Sequence, residues 1–181
     1  MMRITTWTLP LALTLLAACG TPAESGPDSP DYAYSSGGRF VLNQPLVIPP
    51  DAATVRLQFG AVVARNAVQE VEPYCIFEVN TVATTAQAIQ PDSFEIRAVR
   101  KGIDTFGMMA LPRRVSLGDD DRPSHLYFKT EFRLHSPRQP DVRAMTCQSN
   151  QMAPGIAIMR HLRIDEIQSA LGHVFSLRLG V

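Results

Sequence analysis

The chain has 181 residues, of which 45% are hydrophobic, and its 17 basic residues balance its 17 acidic ones. This apolar fraction is sufficient for a hydrophobic core, and after residue 38 no further shift in composition or internal repeat indicates more than one domain. The balanced charge gives no electrostatic basis for binding nucleic acid or an anionic membrane surface, so no nucleic-acid partner is predicted.

A short apolar segment near the amino terminus has the organisation of a secretory signal. Arg3 precedes the apolar stretch 4–18, which ends at Leu16-Ala17-Ala18-Cys19. The stretch is shorter than the roughly 20 apolar residues that a membrane-spanning helix needs. An ordinary signal peptide followed by a chance cysteine is the alternative interpretation.

The run Leu16-Ala17-Ala18-Cys19 resembles a lipobox, the site at which bacterial lipoprotein precursors are cleaved and acylated. The resemblance implies a signal peptide over 1–18 and a mature chain that is anchored to a membrane by acyl chains on Cys19. Stable anchoring takes more than one chain, and the three chains of this class would make release negligible. Gly20 stands where an aspartate would signal retention at the inner membrane in the enteric sorting rule. The implied location is therefore the bacterial cell envelope, at the outer membrane.

Residues 19–38 are predicted to form a flexible tether that begins at the lipidated cysteine. The stretch 20–38, GTPAESGPDSPDYAYSSGG, is rich in Pro, Gly and Ser and has no apolar periodicity. Such a segment cannot bury enough surface to offset its ordering entropy. It would span roughly 25 Å as a coil and about 60 Å when extended. Tyr32 and Tyr34 either dock on the domain or a partner, or belong to a solvated linker, which the composition favours.

Strand patterns dominate the remaining domain, residues 39–181. The clearest is His125–His135, in which an apolar set (Leu126, Phe128, Thr130, Phe132, Leu134) alternates with a polar set that includes Tyr127. Shorter candidates lie at 40–42, 46–48, 55–59, 75–79, 94–98, 142–147 and 175–179. Turns rich in Pro, Gly and Asp separate them.

One helix is predicted at 164–171. Ile164, Ile167, Ala170 and Leu171 lie on one face, acidic residues occupy the first turn, and Gly172 ends the helix. Together with the strands, this pattern predicts a mainly β fold: an antiparallel β-sandwich with one short C-terminal helix before the last strand.

Cys75 and Cys147 are the only cysteines besides Cys19. In the oxidising envelope that the lipobox implies, a remaining pair of cysteines indicates a disulfide. Each lies in a predicted strand, which suits a bridge between neighbouring strands or between sheets. The alternative is a catalytic thiol paired with a histidine, for which no local signature is present.

No metal or cofactor is predicted. His125 and His135 are roughly 33 Å apart along one strand, and His161 and His173 flank the helix without metal-binding spacing. The consecutive acids Asp119-Asp120-Asp121 lack the alternate spacing of a calcium loop, and Arg113-Arg114 is too short for a polyanion site. A soft copper site at Met152, Met159 and His161 is less favoured than ordinary packing.

Two functional hypotheses remain, because no common hydrolase, nucleotide-binding or metalloprotease motif is present. Beyond the lipobox, the layout of signal, tether and β-rich domain is similar to that of uncharacterised proteobacterial envelope lipoproteins. The first hypothesis is a non-catalytic lipoprotein that binds a protein or glycan partner through an exposed apolar patch or sheet edge, with Tyr127 as a candidate contact. The second is an envelope hydrolase, which requires a pocket with converging carboxylates or histidines.

Overall fold

The structure is a computed structural model that describes residues 26, 29, 32, 34, 36–106, 125–152 and 159–180. The predicted signal peptide, Cys19, Arg113-Arg114 and Asp119-Asp120-Asp121 lie outside these residues. Within them, the structure contains no helix with the length and apolar character needed to cross a membrane.

The fold is mainly β, with ten strands and one α-helix in the part of the chain that the structure describes. The strands are β1 (Arg39–Leu42), β2 (Leu46–Ile48), β3 (Thr54–Gln58), β4 (Ala61–Val63), β5 (Tyr74–Val79), β6 (Gln87–Ile89), β7 (Asp92–Phe106), β8 (His125–His135), β9 (Val142–Gln148) and β10 (Phe175–Arg178). The helix α1 (Ile164–Leu171) precedes β10, and a 3₁₀ turn spans Arg65–Ala67. The predicted antiparallel β fold with one short helix before the last strand is confirmed.

One curled sheet supplies both layers of the fold. Eight strands are hydrogen-bonded in the order β10-β1-β7-β8-β9-β5-β3-β4, and β2 pairs separately with β6. β5 and β10 are five positions apart in this order, which corresponds to about 24 Å in a flat sheet. Nevertheless, the rings of Phe77 in β5 and Phe175 in β10 are only 5.4 Å apart. The sheet therefore curls until its two halves face each other across a common core.

Aromatic side chains fill this core, and α1 closes its open side. The buried rings from five strands are Phe40, Phe77, Phe94, Phe132 and Phe175. The buried residues of α1 recur with helical spacing on one face, and this face contacts β3, β5 and β10; they are Ile164, Ile167, Ala170 and Leu171. The helix thus covers the gap between the two ends of the sheet.

A disulfide joins two neighbouring strands, in agreement with the sequence-based prediction. Cys75 in β5 lies directly opposite Cys147 in β9, their Cα atoms are 4.1 Å apart, and their sulfurs are bonded. Both residues are completely buried. Since both sulfurs are used in the bond, the structure offers no free thiol at these positions for catalysis.

β7 and β8 extend beyond the rest of the sheet. β1 pairs with β7 only over 92–95, and β9 pairs with β8 only over 130–133. One isolated bridge further along β8 joins Tyr127 to Asn150. The two strands continue to pair with each other as far as Phe106 and His125. We refer to residues 99–106 and 125–132 as the arm. Lys101 is paired with the buried Thr130, so both lie on the inner face of the arm.

The end of the predicted tether packs on the domain, contrary to the solvated linker that its composition favours. The ring of Tyr34 meets the ring of Phe132 edge-on, with their centroids 5.0 Å apart. Tyr32 in turn lies edge-on to Tyr34 at 5.2 Å. The Pro, Gly and Ser content of this segment predicts a solvated chain. Composition did not reveal the contact, because only two aromatic side chains make it.

The predicted role of Tyr127 as an exposed contact is wrong. Tyr127 is only 7% exposed, and its hydroxyl donates a hydrogen bond to a carboxylate oxygen of Glu70 at 2.6 Å. Burial and, to a lesser extent, this hydrogen bond raise the pKa of Tyr127, so the hydroxyl stays protonated. The loop that contains Glu70 covers the face of β8 that the alternation pattern assigned to solvent.

Asp92 fastens the start of β7 to the loop after β8, and this contact makes stability depend on pH. Its side chain is 3% exposed and accepts hydrogen bonds from Ser136, Ser93, Gln139 and Arg138. Burial alone would raise the pKa of Asp92, but these donors outweigh it and lower the pKa to about 2.

Because the folded-state pKa of Asp92 lies below its ordinary value of 3.8, the stabilisation is complete above about pH 4 and is lost as pH falls towards 2. We expect the wild-type protein to lose about 2 kcal/mol from this group between pH 6 and pH 2. Urea unfolding at both pH values tests this, with Asp92→Asn as the control that lacks the titration. An equal pH dependence in the two proteins would contradict the assignment.

Candidate functional site

The turn between β3 and β4 places an aromatic residue in an unfavourable backbone conformation. Gln58 pairs with Ala61, so the turn consists of Phe59 and Gly60 alone. Their φ angles are 53° and 76°, and two positive values are typical of a type I′ hairpin turn. Glycine and asparagine are favoured in this turn, because the left-handed conformation costs a residue with a large side chain about 1–2 kcal/mol.

Phe59 also gains little from burial. The residue is 59% exposed, among the most exposed large hydrophobic residues that the structure describes. Its ring stands at the rim of a cleft, outside the core. Neither the backbone conformation nor core packing therefore accounts for a phenylalanine at this position.

The turn is held rigidly on both sides. The amide of Gly60 donates to the carbonyl oxygen of Ala170 at 3.1 Å, which ties the turn to the end of α1. Gly60 and Gly172 are in direct contact, and a Cβ on Gly172 would lie 2.2 Å from the Cα of Gly60. The buried amide of Gln58 donates to the carbonyl of Gln69 at 2.8 Å and accepts from its N–H at 3.0 Å. These contacts restrain the backbone on both sides of Phe59.

The cleft beside Phe59 has a volume of about 430 Å³. It lies between the β3–β4 turn, the segment 71–73, the segment 149–151, the segment 160–162 and one side of α1. Phe59, Val71 and Pro73 form its apolar rim, and Val71 is itself 40% exposed. An exposed apolar rim around a concave surface is typical of binding sites.

An ion pair forms the polar part of the cleft. The two terminal nitrogens of Arg160 donate to the two carboxylate oxygens of Glu166, each at 2.7 Å. The backbone N–H of Arg163 donates to the same carboxylate at 2.8 Å. Burial would raise the pKa of Glu166, but the hydrogen bonds from Arg160 and Arg163 outweigh burial and lower it. Glu166 is therefore a fixed anion at neutral pH.

The cleft has an excess of negative charge. Three carboxylates line it (Glu72, Asp165 and Glu166), against the single guanidinium of Arg160. Asp165 pairs with Arg163 at 2.8 Å, whereas Glu72 makes no ion pair with any residue in the described ranges. The site thus combines an exposed aromatic ring with hydrogen-bond acceptors.

The four histidines do not lie together at one site. His125 and His135 lie at opposite ends of β8. The ring centroid of His161 lies 5.5 Å from that of Phe128, and the backbone carbonyl of His173 accepts a hydrogen bond from Asn43 at 3.0 Å. In the described ranges, no group of three His, Cys, Asp or Glu residues is placed to hold a metal ion.

The soft copper site considered in the sequence is also unsupported by the placement of its methionines. Met159 is exposed, and Met152 is only partly buried. The ring of His161 is directed at the arm, where it lies edge-on to Phe128.

A second polar cluster surrounds the start of β8. Glu70 accepts from Tyr127, and His125 lies 3.9 Å from the same carboxylate. The side-chain amide of Asn150 donates to Nδ1 of His125 at 2.8 Å and accepts from the backbone N–H groups of Leu126 and Met152. These bonds fasten the segment after β9 to β8, which gives the cluster a structural role.

The sequence did not single out Phe59 or Arg160. The predicted strand 55–59 ran through Phe59, although the observed strand ends at Gln58. Gly60 between two short apolar runs was the available signal for a hairpin. No family model, curated protein or solved structure matches this chain.

Proposed function

We propose that the protein is a lipid-anchored component of the bacterial cell envelope, at the outer membrane, whose β-domain binds a protein or glycan partner without catalysis. Cys19 is the proposed attachment site of the lipid, and the cleft at Phe59 is the proposed site of partner binding. The observation on which binding rests is an exposed phenylalanine held rigidly in a backbone conformation that disfavours it.

The energetics of Phe59 support this role. A residue that lowers stability and leaves its ring in water points to a role for the ring outside the folding of its own chain. Aromatic residues are the most frequent anchors at interfaces, because they bury a large area with few rotatable bonds. The fixed turn adds to this effect, since little conformational entropy is left to lose on binding.

The chemistry of the cleft favours binding over the alternative, an envelope hydrolase. A general acid or base works best when its pKa lies near the operating pH. The pKa of Glu166 is instead lowered, and its carboxylate is held by Arg160 in a two-pronged ion pair. Asp165 is paired with Arg163. Carboxylates that are held in ion pairs in this way are suited to fixing the shape and charge of a recognition surface.

The proposed anchor predicts the fate of a Cys19→Ser variant. Without the thiol there is no site for acylation, and processing by the lipoprotein pathway stops. We expect an uncleaved, unlipidated precursor, detected as a larger mass and as a protein without bound acyl chains. Normal maturation together with membrane fractionation of this variant would refute lipidation at Cys19.

Photo-crosslinking in intact cells tests partner binding. A photoreactive phenylalanine analogue at position 59 is expected to yield one reproducible adduct, either with a protein or with a glycan. The matched control places the analogue at Val47 on β2, which is 55% exposed and does not line the cleft. No adduct at position 59, or the same adduct at both positions, would overturn the proposed site.

A further inference from the structure

One carboxylate of the cleft at Phe59 has no cationic partner in the described part of the chain. Of the three carboxylates that line the cleft, those of Asp165 and Glu166 are already engaged in ion pairs with arginines. Glu72 is exposed and makes no ion pair with any described residue. Its backbone N–H donates to the carbonyl of Gln69 at 3.0 Å, which restrains the turn that carries it. Glu72 therefore offers an unengaged negative charge to a ligand.

A serine in the cleft also has an unused hydrogen-bonding group. Ser149 lines the cleft and is only 6% exposed. Its hydroxyl makes no hydrogen bond with any residue in the described ranges. Most buried polar side chains have at least one hydrogen-bond partner, and a molecule that enters the cleft can supply the one that Ser149 lacks. The serine therefore points to a ligand independently of the acidic residues.

Two donor side chains of the cleft are engaged within the protein. The side-chain amide of Gln151 donates to the carbonyl of Arg160 at 2.5 Å and accepts from its backbone N–H at 2.9 Å. The terminal nitrogens of Arg160 donate to Glu166, and one of them also donates to the carbonyl of His161 at 3.1 Å. A sugar hydroxyl both donates and accepts, whereas an ammonium or a guanidinium only donates. With Glu72 as a free acceptor, the cleft matches a cationic side chain better than a glycan.

The apolar rim adjoins this charge and limits the size of the ligand. Glu72 stands between Val71 and Pro73 in the chain, and both of these neighbours line the cleft together with Phe59. The volume of about 430 Å³ lies at the lower end of the usual range for ligand pockets. An exposed phenylalanine ring packs against apolar groups and attracts a cation over its face. The cleft thus suits an apolar side chain next to a cationic one.

We propose that the cleft at Phe59 binds a segment of a partner protein in which an apolar side chain neighbours a lysine or an arginine. The apolar side chain packs on Phe59 and Val71, the cation pairs with Glu72, and Ser149 forms a hydrogen bond with the segment. This proposal rests on the partner site of the proposed function and narrows that partner to a basic protein segment. An exposed ion pair changes affinity by up to about five-fold, so Glu72 contributes selectivity and the apolar contacts contribute most of the binding.

Titration of the full chain with two dipeptides tests the preference for a cation. The probe is N-acetyl-leucyl-arginine amide, and N-acetyl-leucyl-citrulline amide is its neutral counterpart of the same shape. From the amide chemical shifts of Gly60 and Ser149, we expect the arginine peptide to bind about three-fold more tightly than the citrulline peptide. Glu72→Gln should abolish this preference, whereas Asp51→Asn, at an exposed carboxylate that does not line the cleft, should keep it. No binding, equal affinities, or a preference that survives Glu72→Gln would overturn the proposal.

Photo-crosslinking from position 71 in intact cells separates this proposal from the partner site itself. We expect an adduct with a protein whose crosslinked peptide has a lysine or arginine beside an apolar residue. Glu72→Lys should lower the yield at least five-fold, because it places like charges opposite each other. Replacing the basic residue of the partner with glutamate should restore capture by Glu72→Lys. A glycan adduct, or a protein adduct that does not respond to Glu72→Lys, would overturn the basic segment and leave the site at Phe59 intact. No adduct would overturn both.

Discussion

Replacing Phe59 with asparagine is expected to weaken partner capture at least 30-fold while making the folded domain more stable. Asparagine accepts the left-handed conformation that Phe59 adopts at φ of 53°, so the substitution should raise the free energy of unfolding by about 1 kcal/mol. Removing an aromatic anchor from the centre of an interface typically costs more than 2 kcal/mol of binding. Urea unfolding gives the first quantity. Crosslinked yield from a photoreactive residue at Val71, on the same rim, gives the second.

The opposite signs of these two effects make the experiment informative. Val47→Asn is the matched control, because Val47 is similarly exposed but stands on β2 and does not line the cleft. It should leave capture unchanged. A Phe59→Asn variant that is less stable than the wild type and still captures the partner would show that the ring serves the fold.

Removing the disulfide is expected to lower the free energy of unfolding by about 4 kcal/mol. Cys75 and Cys147 are 72 residues apart, and a cross-link of that span restricts the unfolded chain strongly. Domains of this size are stable by only about 5–15 kcal/mol, so the loss is a large part of the total. The double variant Cys75→Ala/Cys147→Ala, compared with the wild type by urea unfolding, measures it.

Reducing agent provides the control for the disulfide prediction. The wild type should become nearly as unstable as the double variant when reductant is present, whereas the double variant should not respond. If reductant leaves the urea midpoint of the wild type unchanged and the double variant is equally stable, the covalent link contributes nothing to stability.

Patterns contained within one element were predictable from the sequence. The helix was predicted at 164–171 and β8 at 125–135, with the same bounds as in the structure. Each presents one buried face over at least two full periods, so its hydrophobic periodicity can be recognised in the sequence. β4 and β6 were missed because neither of these three-residue strands alternates between buried and exposed positions as β2 does.

The other differences between the predictions and the structure arise where a strand is irregular or is covered by a distant loop. β7 was predicted to end at Ala98, but it continues to Phe106. The register shifts between Ile96 and Ala98, and such a bulge moves the following side chains to the opposite face. Because the bulge interrupts the alternation of buried and exposed residues, the sequence pattern predicted the end of the strand at this point. Tyr127 was misplaced because the loop that covers it is distant in sequence.

The candidate site could not be predicted because no single segment contains it. The cleft combines the turn at Phe59 with residues 71–73, 149–151, 160–162 and one side of α1, and only the curl of the sheet brings these segments together. The left-handed conformation of Phe59 is equally invisible in the sequence. Of the predicted sites, Cys75 and Cys147 could be paired because their count and the inferred compartment left few choices, whereas Cys19 stays a prediction.

The short length of α1 links partner binding to the stability of the whole domain. A helix of eight residues is unstable on its own in water, so α1 persists only while the curled sheet holds its buried face. Residues of α1 form one wall of the cleft, and the cleft therefore vanishes whenever the domain unfolds. A partner that binds only the folded state, at 100 times its dissociation constant, would add about 2.7 kcal/mol of stability. Envelope proteins and glycans can thus be screened for the partner by an upward shift in the melting temperature of the domain. Phe59→Asn is the negative control, because it should show a smaller shift with the true partner.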